Sequence, residues 1–94
     1  MAVNAGPRDL VEQKIRELLV DELGVDPQTA ATSDPGTPLL GRGIGLDSLE
    51  AMVLVTGLEE AFDITVDDAD LSEELVRSID TLVDYVIARG GAHQ

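Results

Sequence analysis

The sequence predicts an all-α fold: a small four-helix bundle of three longer helices and one short one, with a long loop between the first and second helices. Three observations carry this. Apolar residues recur at helical spacing in three separate stretches, start and stop signals bracket them, and no stretch alternates with the period of a strand. A chain of 94 residues suffices for one core and not for two, so a single domain over 1–94 is expected, packed at about 7–89 between flexible termini. Hydrophobic residues make up 44% of the chain and aromatics 2%, so the core must be built from Leu, Val, Ile and Ala.

In the first predicted helix, residues 7–23, Val11, Ile15, Leu18, Leu19 and Leu23 fall on one stripe. Pro7 suits its first turn, and Gly24 suits the position just past its end. Residues 25–45 are rich in Pro, Gly, Thr and Ser and read as a long ordered loop, with a turn at Asp34-Pro35-Gly36 and Leu39, Leu40 and Ile44 available to pin it to the core. Asp47 caps the next helix, and Glu50 completes a variant of the capping box. That helix runs to about Phe62 with Ala51, Leu54, Val55, Leu58 and Phe62 inward. A second box, Asp70-Leu71-Ser72-Glu73, predicts the short helix to about Val76. Ser78 then caps the last helix, whose stripe is Ile79, Leu82, Val83, Val86 and Ile87 and whose end is marked by Arg89 and Gly90.

A formal net charge of −13 would be repelled by nucleic acid and by anionic membranes, so neither is an expected partner, and basic protein surfaces are. The chain has no Cys, and its single His, His93, lies in the tail, so the parts of a nucleophilic catalyst are missing and an enzyme is not expected. A calcium loop over 63–74 fails at its turn glycine, which is Asp68, and at Thr65 and Asp70, so no metal site is expected. The segment 1–6 lacks the basic and apolar regions of a secretion signal, and no apolar run approaches membrane-spanning length; a monomeric cytoplasmic protein is expected.

One anomaly stands out on the second long helix. Leu49 and Val53 project opposite to its core stripe and Met52 lies on the flank, which makes either a partner surface or a seat for the long loop. Ser48 occupies the first turn of the same helix, where a phosphodiester on its hydroxyl gains roughly 0.3–1 kcal/mol from the helix dipole and free amides. Taken alone, a Ser there is an ordinary helix-start residue.

Gly45-Leu46-Asp47-Ser48-Leu49-Glu50 resembles the Asp-Ser-Leu attachment motif of acyl and peptidyl carrier proteins. The resemblance extends to Leu23-Gly24-Val25, Leu58-Glu59-Glu60-Ala61-Phe62 and Asp84-Tyr85-Val86, and covers roughly residues 10–88. It implies that a phosphopantetheinyl transferase attaches 4′-phosphopantetheine from coenzyme A to Ser48, between Asp47 and Leu49. It further implies that acyl or aminoacyl groups ride on the arm's thiol as thioesters, delivered by an adenylation enzyme or acyltransferase and passed to a ketosynthase or condensation enzyme. These partners would read Leu49, Glu50, Met52 and Val53, with the surrounding acids steering them.

Members of fatty-acid synthesis usually place an acid where this chain has Val53, and their loop before the motif is shorter. Both differences favour polyketide or nonribosomal peptide assembly, with antibiotic-type products, over the alternative of a housekeeping fatty-acid carrier. The positions of Met1 and of the last helix favour a free-standing carrier. The reading from another class is an unmodified acidic helical adaptor in which Ser48 is structural.

Overall fold

Helical periodicity becomes helices where it was strongest. The computed structural model describes residues 6–90. In it, α1 spans Pro7–Asp21, α2 Pro27–Thr32, α3 Ser48–Phe62 and α4 Ile79–Ala88, with a 3-10 turn at Asp68–Asp70. No strand forms among the described residues; Leu40 and Leu46 make one isolated parallel bridge. His93 lies outside the described residues.

The predicted stripes meet in one core. Val11, Ile15, Leu18 and Leu19 of α1, Ala51, Leu54, Val55, Leu58 and Phe62 of α3, and Ile79, Leu82, Val83 and Val86 of α4 are all buried. Burying each Leu, Ile or Val fully contributes roughly 1.5–3 kcal/mol before chain entropy opposes it. α1 packs mainly on α4 and also touches α2 and α3. Arg8 reaches from α1 to Asp80 and Asp84 on α4, but these partners are half exposed, so the pairs orient the helices more than they stabilise them.

Each helix ends for a local reason. Gly24 adopts φ +69, which turns the amides of Gly24 and Val25 back onto the Val20 and Leu19 carbonyls at 3.1 and 3.0 Å. Asp63 takes the left-handed position after α3 (φ 54), a conformation that Asp tolerates better than most side chains. Ser78 caps α4 by accepting from the Thr81 amide.

The short helix is not where the capping box at residues 70–73 put it. Asp70 instead accepts a hydrogen bond from the Tyr85 hydroxyl at 2.9 Å, which draws its carboxylate toward α4, and it makes no capping bond among the described residues. Capping passes to Ser72, whose Oγ accepts from the Leu75 amide, and only a single loose turn fits before Ser78 opens α4. The fourth helix is α2, inside the long loop. Asp26 caps it by accepting from Gln28 and Thr29, Pro27 sits in its first turn, and Arg16 of α1 donates to the Ala30 carbonyl at 2.7 Å.

The rest of the long loop is pinned as expected. Leu39 is fully buried, and Leu40 and Ile44 pack partly against the core. The loop is also stitched to the start of α4: the Leu39 amide donates to the Arg77 carbonyl at 2.9 Å, and the Asp80 amide to the Pro35 carbonyl at 3.0 Å.

Candidate functional site

The candidate site is built around the first turn of α3, and the preceding loop fixes where that turn stands. Residues 38–46 close on themselves: the Ile44 amide donates to the Pro38 carbonyl at 2.8 Å, Leu46 to Leu39 at 2.9 Å, and Gly41 to Leu46 at 3.2 Å. Two glycines make this closure possible. Gly41 takes φ +63, and a Cβ at Gly43 would stand 1.7 Å from the Pro38 carbonyl oxygen, closer than any side chain allows. The closed loop delivers buried Leu46, and the chain then enters α3 through Asp47.

At that entry the capping box forms in full. The Asp47 carboxylate accepts from the Glu50 amide at 2.8 Å, and the Glu50 carboxylate accepts from the Asp47 amide at 3.0 Å. Both donors would otherwise be orphaned at a helix start. Ser48 is the first residue of α3 and is exposed; its hydroxyl has no hydrogen-bond partner among the described residues. Asp47 and Glu50 therefore hold the backbone on either side of a hydroxyl that is itself uncommitted.

Beyond Ser48, Leu49 is 76% exposed, Met52 44% and Val53 40%. The long loop does not fold over them. Of the residues expected to meet a partner, Glu50 differs from the others: it is half-buried and its carboxylate is engaged in the cap.

A groove of about 210 Å³ opens beside the serine, and Ser48 itself forms part of its lining. Its apolar surface comes from Leu40 of the loop, Ala51 and Met52 of α3, and Leu71 and Val76 of the connection to α4. Ser72 and Glu73 supply its polar edge. No fixed spacing announces this groove, because its walls come from three separate segments; among its apolar residues only Met52 was singled out from the sequence as a candidate for function. The far wall is anchored by Tyr85 to Asp70 and by Arg89, which donates to the Thr65 carbonyl at 2.8 Å and lies 5.2 Å from the Tyr85 ring centre. Partial burial first, and the hydrogen bond to Asp70 second, raise the Tyr85 phenol above its ordinary pKa.

The charge pattern around the site has one exception that sequence reading passed over. Arg8, Lys14, Arg16, Arg77 and Arg89 all pair with carboxylates, whereas Arg42, on the closed loop between Gly41 and Gly43, pairs with none among the described residues. Among the described residues no cluster of His, Asp or Glu is arranged to hold a metal ion. No described helix is long and apolar enough to cross a membrane.

An exposed, uncommitted hydroxyl on a capped helix start, with an apolar groove alongside, suits a group joined through a phosphodiester: the positive end of the helix would favour the phosphate and the groove offers apolar surface next to it. No solved structure matches this chain. A protein-family model described as a phosphopantetheine attachment site matches residues 13–86, which take in the site and most of the three long stripes. The chain accordingly belongs to the phosphopantetheine-attachment family of acyl and peptidyl carrier domains, to which 4′-phosphopantetheine is covalently joined.

Proposed function

We propose that Ser48 is the residue that carries the arm, and that the protein is a non-catalytic carrier of acyl or aminoacyl intermediates in polyketide or nonribosomal peptide assembly in the cytoplasm. The observation that carries this reading is the exposed, unpartnered Ser48 hydroxyl within Asp47-Ser48-Leu49 at the start of α3. When attached, the arm supplies the thiol that the chain lacks and on which a thioester is held. The protein's own part is positional. The Asp47–Glu50 box fixes the turn, the helix start tolerates the phosphodiester, and Leu49, Met52 and Val53 give enzymes an apolar contact.

A phosphopantetheinyl transferase, a loading enzyme (adenylation enzyme or acyltransferase), and a ketosynthase or condensation enzyme are the expected partners. The net charge of −13 supports basic docking surfaces on them and association that slows as salt rises. Val53, apolar and 40% exposed, supports assembly-line enzymes over those of fatty-acid synthesis, because it offers no charge where a fatty-acid enzyme would seek one.

The test is intact-protein mass spectrometry after incubation with coenzyme A, magnesium and a broad-specificity phosphopantetheinyl transferase. One phosphopantetheine is expected on the wild-type chain and none on Ser48→Ala. A gain that survives in Ser48→Ala moves the site to another serine. No gain with a transferase proven active on another carrier turns the reading toward an unmodified adaptor.

A further inference from the structure

Arg42 is the cation near the site that the chain itself leaves unneutralised. The sequence holds 19 acids against 6 lysines and arginines, so carboxylates are in excess. Arg8, Lys14, Arg16, Arg77 and Arg89 each meet one, and Arg42 meets none among the described residues. Two local features account for this. Its neighbours Gly41 and Gly43 carry no side chain, and the acids at the start of α3, Asp47 and Glu50, are each taken up by the other's backbone amide.

The closed loop also brings this charge close to the serine. The Gly41 amide donates to the Leu46 carbonyl at 3.2 Å, and Leu40 and Leu46 form the isolated bridge. Arg42 follows Gly41 directly, and Ser48 stands two residues past Leu46. With no room for a side chain at Gly43, the backbone here has little freedom, so an exposed guanidinium is kept near the entry to α3.

A phosphodiester on the Ser48 oxygen is negatively charged at neutral pH. It would join the carboxylates of Asp47 and Glu50 in a chain whose net charge is already −13. A planar guanidinium answers that charge well, because it donates two parallel hydrogen bonds to phosphate oxygens. A carboxylate on a partner enzyme is the competing anion, but the same net charge favours basic surfaces on partners.

We propose that Arg42 is the counter-ion of the attached arm: its guanidinium bonds the phosphodiester oxygens on Ser48, offsets repulsion from Asp47 and Glu50, and fixes the direction in which the arm leaves the helix. Arg42 is a positioning residue and takes no part in bond making. This inference rests on attachment at Ser48.

The experiment uses the full chain with and without the arm, after mass spectrometry has shown one arm per chain and none on Ser48→Ala. In nuclear magnetic resonance the Arg42 Nε–H should shift on attachment and exchange with solvent about threefold or more slowly than in the apo protein. The phosphorus resonance of the arm should move in Arg42→Gln and move less in Arg42→Lys, which keeps the charge without the planar fork. It should stay in place in Arg77→Gln, which removes the same charge from the 71–77 connection. Because the contact is exposed, added salt should carry the wild-type phosphorus signal toward that of Arg42→Gln. A phosphorus signal identical in wild type and Arg42→Gln, with the Arg42 Nε–H unchanged by the arm, overturns the assignment and leaves the carrier reading intact. Protection of Arg42 that arises only when the transferase is added also overturns it, by giving the guanidinium to a carboxylate of the partner. Failure of attachment at Ser48 sinks both readings.

Discussion

The two connections that flank α3 are built to different standards. On the N-terminal side, residues 38–46 close through hydrogen bonds of 2.8–3.2 Å around a fully buried Leu39, with no room for a side chain at Gly43. On the C-terminal side, residues 72–77 hold one turn through contacts of 3.3–3.4 Å. The first connection sets the position of Ser48 and the second forms the opposite wall of the groove. If, as proposed, a transferase acts on Ser48, it must find the serine in a fixed place, and stiffness is useful on that side.

Substitutions matched across the two sides test this contrast. The largest effect is expected at Gly43. Gly43→Ala forces a carbon against backbone that has nowhere to move, and should cost about 3 kcal/mol. On the loose side Glu74→Ala, which removes only an exposed pair with Arg77, should stay within about 0.5 kcal/mol. Urea denaturation of both proteins checks the pair, and equal losses would mean that the closed loop is not the stiff element. Next is Asp47→Ala, which removes the cap at the junction of loop and helix and should cost about 1 kcal/mol by the same measurement. The gentlest probe is Tyr85, the chain's only tyrosine. Its raised phenol pKa means that the contribution of its bond to Asp70 is complete below the ordinary phenol range. That contribution is lost as pH rises through the raised value. Ultraviolet titration should show phenolate forming at higher pH than in the unfolded chain; coincident curves would mean that the 63–78 connection does not hold Tyr85.

How much of this was legible in the sequence follows from what each feature depends on. The α3 stripe was legible residue by residue, because a helix with one buried face must repeat every three or four positions, and Ala51, Leu54, Val55, Leu58 and Phe62 are all buried. The Asp47–Glu50 box was legible because it is local. The six-residue α2 was not, since one buried Ala30 makes no periodicity, although Asp26-Pro27 is a start signal. The false helix at 70–76 had a genuine local signal, which a contact fifteen positions away redirected when Tyr85 took Asp70. Helix geometry put Ser48, Leu49 and Val53 away from the core and Met52 on the flank, but left open whether the long loop covered the apolar three, and their exposure is seen only in the fold. The groove depended on tertiary convergence, which no local pattern encodes.

The stitching of the long loop to α4 has a consequence for when the site comes into being. Leu39 bonds to Arg77 and Pro35 to Asp80, pairs separated by nearly half the chain, so the segment leading to Ser48, although it closes on itself, is tied to α4 by residues synthesised well after it. Contacts of such sequence separation close late, because the intervening chain must be ordered first. During translation, then, α3 can acquire helical turns while its entry is still unfastened. The tie to α4 forms only once its beginning has left the ribosome and docked, so a chain interrupted before residue 77 would offer the serine on a loop not yet fastened to the last helix.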